Sequence, residues 1–368
     1  MRILVTGAQG FIGRHLCEAL RQRDADELYA YDLGMPLEQL ERWCHNCDFV
    51  FHLADARNSH AQEDYMAVHY GFTETLLKLL ARGRNACPVM FASSEQAAHR
   101  SLYGHSKKAG EDIVLQYARE TGAEVYIFRL PDVFGKWAEP NQRCPVATLC
   151  YYIARGKPAP FHDTNAVLRL AHIDDVIRAL MGLLEPETVC QRAGDFCVVP
   201  EIYSIDGGAL QTILEGFYRL RENGGAPQLG DPLARRLYAT YQSYLPIMDL
   251  SYPLDMREDG YGSATRFISS PDYGQISVNV IRPGIAEGEH WHNARSEKHL
   301  IVTGEGLICF RKPGDAERVE YRVSGKQHTV VEIPAGYMHA VTNVGKTDLI
   351  DVVWSSVCWD PQDQDTFA

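Results

Sequence analysis

A doubly wound α/β parallel sheet followed by an all-β barrel is the architecture this sequence predicts, and three observations carry it. Over roughly the first 185 residues, short apolar β-rich runs alternate with helical stretches, the pattern of a parallel sheet covered by helices. The opening "MRILVTGAQGFIGRHL" reads as strand, glycine-rich turn and helix. Near residue 245 the texture changes: Pro246, Pro253, Gly260 and Gly262 break any helix, and short strand patterns separated by turns follow. The predicted domains are therefore residues 1–245 and 246–368.

The elements follow in order. Strands are expected at "RILVTG", "ELYAYDL", "DFVFHLA", "PVMFAS" and "EVYIFRL", each a short run rich in β-branched and aromatic residues. Between them, "IGRHLCEALRQR", "FTETLLKLLARG" and "HSKKAGEDIVLQYARETG" carry the helical period. "VATLCYYIARGK" and "IDDVIRALMGLLE" read as further helices, and "GALQTILEGFYRLREN" as the last long one. The barrel strands are "QISVNVIRP", "KHLIVTGEG", "GLICFRK", "HTVVEIP", "HAVTNVG" and "LIDVVW".

Composition bounds the partners. The chain has 368 residues, 45% of them apolar, enough for two cores. A net charge of −12 argues against nucleic-acid binding, which requires a basic surface. No apolar run reaches the roughly 18 residues of a membrane span. The N-terminus shows no signal peptide, so a cytoplasmic protein with free thiols is expected. Cys44-His45-Asn46-Cys47 directly precedes a strand instead of opening a helix after one, so the pair is read as structural.

Gly7, Gly10 and Gly13 sit between the first strand and the first helix. The first two let the backbone turn tightly and approach a pyrophosphate, and the third permits close helix–strand packing. Asp32 closes the second strand, where a carboxylate accepts hydrogen bonds from ribose hydroxyls and disfavours a 2′-phosphate, so NADH is favoured over NADPH; Arg14 is the cation that would oppose this. The remaining cofactor contacts are assigned to Gln9, Phe11, Ile12, Leu53 and Ala54. Tyr103 and Lys107 are four residues apart on one helix face, and both are also assigned to the cofactor site. Reduction of a ketone leaves an alkoxide that needs a proton; a phenol beside an ammonium can give it, and Ser94 at a strand end can hydrogen-bond the carbonyl. With "TGAQGFIG" at residues 6–13, these positions resemble the extended short-chain dehydrogenases/reductases, a Rossmann-type family. Ser94, Tyr103 and Lys107 take that family's catalytic positions.

The second domain reads Gly284-x5-His290-x-His292-x4-Glu297-x6-Gly304, then Pro334-x-Gly336-x2-His339-x3-Asn343. Two histidines two apart on a strand share a face, and Glu297 opens the next strand. His290, His292, Glu297 and His339 are the expected metal ligands, a set that suits zinc, iron, manganese or nickel. These spacings resemble the two motifs of the cupins. By strand parity His299 faces inward, Tyr337 shares parity with His339, and Lys298 points outward; all three are candidates for an epimerase base.

The order of the two domains, with "FGKW" (134–137), "YLP" and "DLSYPL" at the junction and "HWH…EK" at the metal, resembles the bifunctional capsular polysaccharide synthesis enzymes. The resemblance implies a UDP-sugar substrate, UDP-2-acetamido-2,6-dideoxy-L-arabino-hexos-4-ulose. The metal domain would epimerise it at C3, and the reductase domain would reduce C4 to give UDP-2-acetamido-2,6-dideoxy-L-talose. It also implies NADPH, zinc (Zn2+) and a homodimer. Related deoxysugar epimerases carry Asp-x-Arg-Gly at the barrel mouth; here Asp259-Gly260-Tyr261-Gly262 stands there, leaving Arg266 or Arg282 to meet the diphosphate. The alternatives are a reductase whose second domain only binds sugar, and a redox or sugar sensor.

Overall fold

The computed structural model describes every residue except 24–25, 57–60, 143, 161–163, 186–189, 223, 361 and 363–364. It divides into two compact units, one of Met1–Glu215 with Arg236–Leu245 and one of Gly216–Arg235 with Pro246–Ala368.

In the first unit β1 (Arg2–Thr6), β2 (Glu27–Tyr31), β3 (Phe49–His52), β4 (Val89–Ser94) and β5 (Val125–Leu130) pair in parallel, in the order β2-β1-β3-β4-β5. The short β8 (Arg192–Ala193) and β9 (Phe196–Cys197) extend the β5 edge. A separate three-stranded sheet joins β6 (Asp132–Phe134), β7 (Val167–His172) and β10 (Tyr203–Asp206), which the apolar pattern did not single out. Strands β1, β3 and β4 are near-continuous runs of buried residues, as expected of a sheet covered on both faces.

Helices α1 (Phe11–Arg21), α4 (Thr73–Arg82) and α5 (Leu102–Thr121) lie where their period predicts. Ser101 caps α5 by accepting the Gly104 N–H, and Gly122, left-handed at φ 73°, ends it. Two helices were not foreseen, α2 (Leu37–Asn46) and α3 (Gln62–Met66). A single π-helical turn, Ala67–Phe72, joins α3 to α4. Past α6 (Pro145–Ile153) and α7 (Ile173–Gly182), α8 (Gly207–Glu222) is not the last long helix: α9 (Pro232–Gln242) follows. Asp231 accepts the Ala234 N–H at 2.7 Å and Pro232 takes the first helical position, a start signal that was present in the sequence.

The core packs Leu4, Val50, Phe91, Leu76, Leu80 and Val114 together with Cys44, Cys47 and Cys87. All ten cysteines are free thiols, and the Cys44/Cys47 pair is core. Burial pushes the Cys44 thiol up to about 12.

The second unit is antiparallel. One sheet runs β11 (Met256–Glu258), β12 (Gly262–Ser270), β13 (Gly274–Ile281), β20 (Leu349–Ser355), β15 (Glu297–Thr303), β18 (Val330–Ile333). The other runs β14 (Ala286–His290), β19 (Met338–Asn343), β16 (Glu305–Arg311), β17 (Val319–Ser324). Ile281, Ile301, Ile308, Val331, Val341 and Leu349 form its core. The six expected strands are all present. Strands β11, β14 and β17 went unpredicted because they are polar and largely exposed, and β12 because its burial follows no strict alternation.

Candidate active sites

At the carboxyl ends of β1 to β5 a cleft of about 1040 Å³ opens in the first unit. Gly7 (φ 71°) would place a Cβ 2.8 Å from the backbone of Leu53, and Gly13 would place one 2.1 Å from the Gly7 carbonyl; neither position accepts a side chain. The turn therefore lies tight on the sheet, with α1 opening at the cleft and Gly10 as its N-cap. Gln9, Gly10, Phe11, Ile12, Leu53 and Ala54 all line the cleft. Asp32 is there too, accepting the backbone N–H of Gln9 at 2.6 Å and of Leu33 at 2.7 Å. Arg14 lines the same wall while donating to the Trp137 carbonyl at 3.3 Å.

Ser94, Tyr103 and Lys107 meet in this cleft. Ser93 and Ser94 divide by strand parity: Ser93 is buried and donates to Glu111 at 2.6 Å, while half-buried Ser94 caps the following turn by accepting the Gln96 N–H. Lys107 is 3% exposed and donates to the Ala92 carbonyl at 3.0 Å. Sequence reasoning missed what stands between Tyr103 and Lys107. The Asp55 carboxylate accepts from the Tyr103 hydroxyl at 3.3 Å and lies 3.6 Å from Lys107 Nζ. The same carboxylate meets buried His69, with Nε2 2.6 Å from Asp55 Oδ1 and Nδ1 2.8 Å from Ser106 Oγ. Neither residue belongs to a spacing motif.

Beside it, His52 bridges Thr6 (2.6 Å) and Thr73 (2.8 Å). Burial pushes its imidazole down to about 3, so it is neutral and structural, tying β1, β3 and α4 together under the cleft.

In the second unit His290, His292, Glu297 and His339 converge, their ligand atoms all within 4.8 Å of one another. The wall of a cavity of about 270 Å³ includes His290, Glu297 and His339. Each histidine's Nδ1 faces a backbone carbonyl: Gly288 at 3.0 Å for His290, Tyr337 at 3.2 Å for His339, and Asp365 for His292. A carbonyl can only accept, so each Nδ1 carries its hydrogen and each Nε2 presents a lone pair inward. Three such lone pairs facing a carboxylate fit a divalent cation, and the buried Nε2 of His292 has no hydrogen-bond partner. A strap near the C-terminus fixes His292. Asp365 accepts the backbone N–H groups of Asn293, Ala294 and Arg295 at 2.7, 3.0 and 3.1 Å, and Phe367 pairs with and packs on Trp291.

The three candidate bases separate. His299 is buried in the cavity wall, 2.7 Å from Asp351 and 3.5 Å from Glu297. Burial would lower its imidazole, but the hydrogen bond to Asp351 and the nearby Glu297 carboxylate prevail and push it up to about 10. The same contacts from His299 and His339, against the cost of burial, hold the Glu297 carboxyl well below the usual range. Tyr337 packs edge-on against Phe310 at 5.9 Å, beside the core, and Lys298 pairs with Glu332 at 2.7 Å on the outer face; neither lines the cavity. Arg266 and Arg282 do not line it either, and Arg282 pairs with Glu258 at 3.3 Å. The arginines of the wall are Arg257 and Arg295, and the carboxylates are Glu287 and Glu297.

A glycine turn on a parallel sheet, with a Tyr-x-x-x-Lys pair in its cleft, defines a dinucleotide-dependent class of enzyme. Residues 3–196 match the NAD dependent epimerase/dehydratase family, to which the chain belongs, and residues 257–367 match the polysaccharide biosynthesis C-terminal domain. The chain is 33% identical, over 100% of its length and 98% of the relative's, to a UDP-2-acetamido-2,6-beta-L-arabino-hexul-4-ose reductase of Pseudomonas aeruginosa. Its structure is similar to the capsular polysaccharide assembling protein CapF from Staphylococcus aureus, with TM-score 0.92, 36% identity and coverage of 100% and 99% of the two chains. A UDP-glucuronic acid 4-epimerase from Bacillus cereus, solved in complex with NAD, shares the fold at TM-score 0.56 and 20% identity over 67% of this chain and 96% of its own.

Proposed function

We propose that the chain is a bifunctional nucleotide-sugar enzyme. It epimerises a UDP-4-keto-6-deoxy-N-acetylhexosamine at C3 in its cupin-like unit and reduces C4 in its Rossmann-type unit, giving UDP-2-acetamido-2,6-dideoxy-L-talose for a capsular or surface polysaccharide. The observation that carries this reading is a ligand-competent three-histidine, one-glutamate centre lining a cavity of its own, on the same chain as the dinucleotide cleft. Full-length similarity to the Pseudomonas reductase and to CapF supports the substrate class.

For the reductive step, bound NADH or NADPH would supply the hydride. The chain's part is to orient the ketone and protonate it. The Ser94 hydroxyl can donate to the carbonyl oxygen, and Tyr103 gives it a proton as charge develops there. Lys107, a fixed cation 5.6 Å from the Tyr103 ring, stabilises the phenolate that remains.

For epimerisation, His290, His292, Glu297 and His339 would hold a divalent ion, zinc being the one that the resemblance to the capsular enzymes implies, whose Lewis acidity would lower the cost of an enolate at C3–C4. His299, held between two carboxylates, is poised to donate a proton, whereas Glu287 is a carboxylate in the same wall able to accept one. Arg257 and Arg295 give the wall the positive charge that a UDP diphosphate requires.

NMR of the reaction in deuterium oxide tests both halves. Deuterium at C3 reports epimerisation, and hydrogen delivered to C4 from labelled cofactor reports reduction. A product reduced at C4 with no deuterium at C3 would leave the second unit a binding module.

A further inference from the structure

The reductase reading leaves one question of charge. A carboxylate against the proton-donating phenol opposes formation of the phenolate and offsets Lys107, yet Asp55 sits there, 3.3 Å from the Tyr103 hydroxyl. Its contacts answer the question. The single hydroxyl hydrogen of Ser106 is donated to the Tyr103 carbonyl at 2.8 Å, so Ser106 can only accept from His69, and His69 Nδ1 carries the hydrogen of that 2.8 Å bond. The facing atoms His69 Nε2 and Asp55 Oδ1 are then 2.6 Å apart with one proton between them. Imidazolium and carboxylate then form a neutral pair beside the Tyr103 hydroxyl, and Lys107 Nζ lies 3.6 Å from the same carboxylate.

The backbone is built to hold this arrangement. His69 lies in the π-helical turn Ala67–Phe72, an interruption of the helix of the kind often found at functional sites. Thr73 donates to the His69 carbonyl at 2.8 Å, and a Cβ on Gly110 would come within 2.6 Å of that same oxygen, so α5 packs directly on the turn. The His69 side chain is fully buried, stacked on Tyr65 and edge-on to Tyr103 at 5.3 Å.

We propose that Asp55 and His69 form a proton reservoir that restores Tyr103 after each reduction. Tyr103 gives its proton to the C4 oxygen: the phenol O–H bond breaks and the alcohol O–H bond forms. The proton held at His69 Nε2 then passes through the Asp55 carboxyl to the phenolate. Imidazolium plus phenolate becomes imidazole plus phenol, the carboxylate is regenerated, and one proton from solution, taken up through the 15% exposed Asp55 carboxylate, restores the imidazolium. Asp55 touches the reacting oxygen and is catalytic; His69 acts through it and is a positioning residue.

This rests on the reductase reading, and the experiment separates the two. Rapid mixing of cofactor-loaded enzyme with the 4-keto UDP-sugar follows nicotinamide oxidation through the first and later turnovers. Wild-type enzyme that oxidises no cofactor with this sugar sinks the reductase reading itself. If the wild type turns over, His69→Asn should give a burst of one equivalent, itself slowed by the now uncompensated Asp55 carboxylate, and then a steady state slower than that burst by about a further tenfold or more, as expected of a lost proton-transfer partner. Equal slowing of first and later turnovers, or no slowing, overturns the reservoir. Should His69→Asn fail to fold, Asp55→Asn, nearly isosteric, decides by the same burst. Free of any turnover, the resting protein should show a strongly downfield His69 imidazole N–H resonance that disappears in Asp55→Asn. Its absence from the wild type also overturns the proposal.

Discussion

On the proposed reading, Tyr103 and Asp32 bear on different parts of the reductase chemistry. Tyr103→Phe removes the proton donor and should cut C4 reduction by about 10²-fold or more. Deuterium exchange at C3 should continue in that variant, and near wild-type reduction would remove Tyr103 from the mechanism. Asp32 bears on the cofactor. Both its oxygens are oriented by backbone N–H groups at the cleft wall, where a 2′-phosphate would meet their charge. Steady-state kinetics should therefore give the higher kcat/KM with NADH; a large preference for NADPH would mean that Arg14 or another cation overrides Asp32. Motif spacing made legible the meeting of Tyr103 with Lys107 in the cleft and the convergence of His290, His292, Glu297 and His339. Asp55 and His69 were not legible, because fourteen residues and a π-helical turn separate them and no periodicity links their side chains.

Among the elements, the turn from β1 into α1 tolerates little. In Gly13→Ala the added methyl meets the Gly7 carbonyl at 2.1 Å, so the turn must move away from the sheet. The expected cost is about 1–3 kcal/mol of stability, as for other overpacked sites, with weaker cofactor binding. Thermal melts and a cofactor titration read both, and wild-type values in both would show that the turn yields freely. The same elements show where sequence reading works. Strands buried on both faces, such as β3, announce themselves as apolar runs. Strands such as β14 and β17 exist because a neighbour pairs with them, a non-local cause that leaves little local trace. Helix α9 was a different failure: the glycine- and proline-rich stretch before it reads as an ending, although Asp231-Pro232 is a helix start.

On the proposed reading the chain carries two chemistries on separate side-chain sets, and they should fail separately. His290→Ala/His292→Ala leaves two of the four ligands, too few for a stable zinc site. Metal analysis should show the loss, circular dichroism a folded protein, and NMR no deuterium at C3, because an enolate without Lewis-acid help is too costly at neutral pH. Cofactor binding at Gly7–Gly13 should be unchanged. Folded, metal-free protein that still exchanges C3 at the normal rate would make the ion structural.

The strap at Asp365 carries this into the handling of the protein. One peptide carbonyl sets the tautomer of His292, and one carboxylate ties down the loop that follows it. A purification tag fused after Ala368 therefore acts on the proposed metal site from outside its four ligands. Two batches that differ only in which terminus bears the tag should release zinc to a chelator at different rates, the C-terminally tagged one faster. Trimming past Asp365 should speed release further, while the dinucleotide cleft registers nothing.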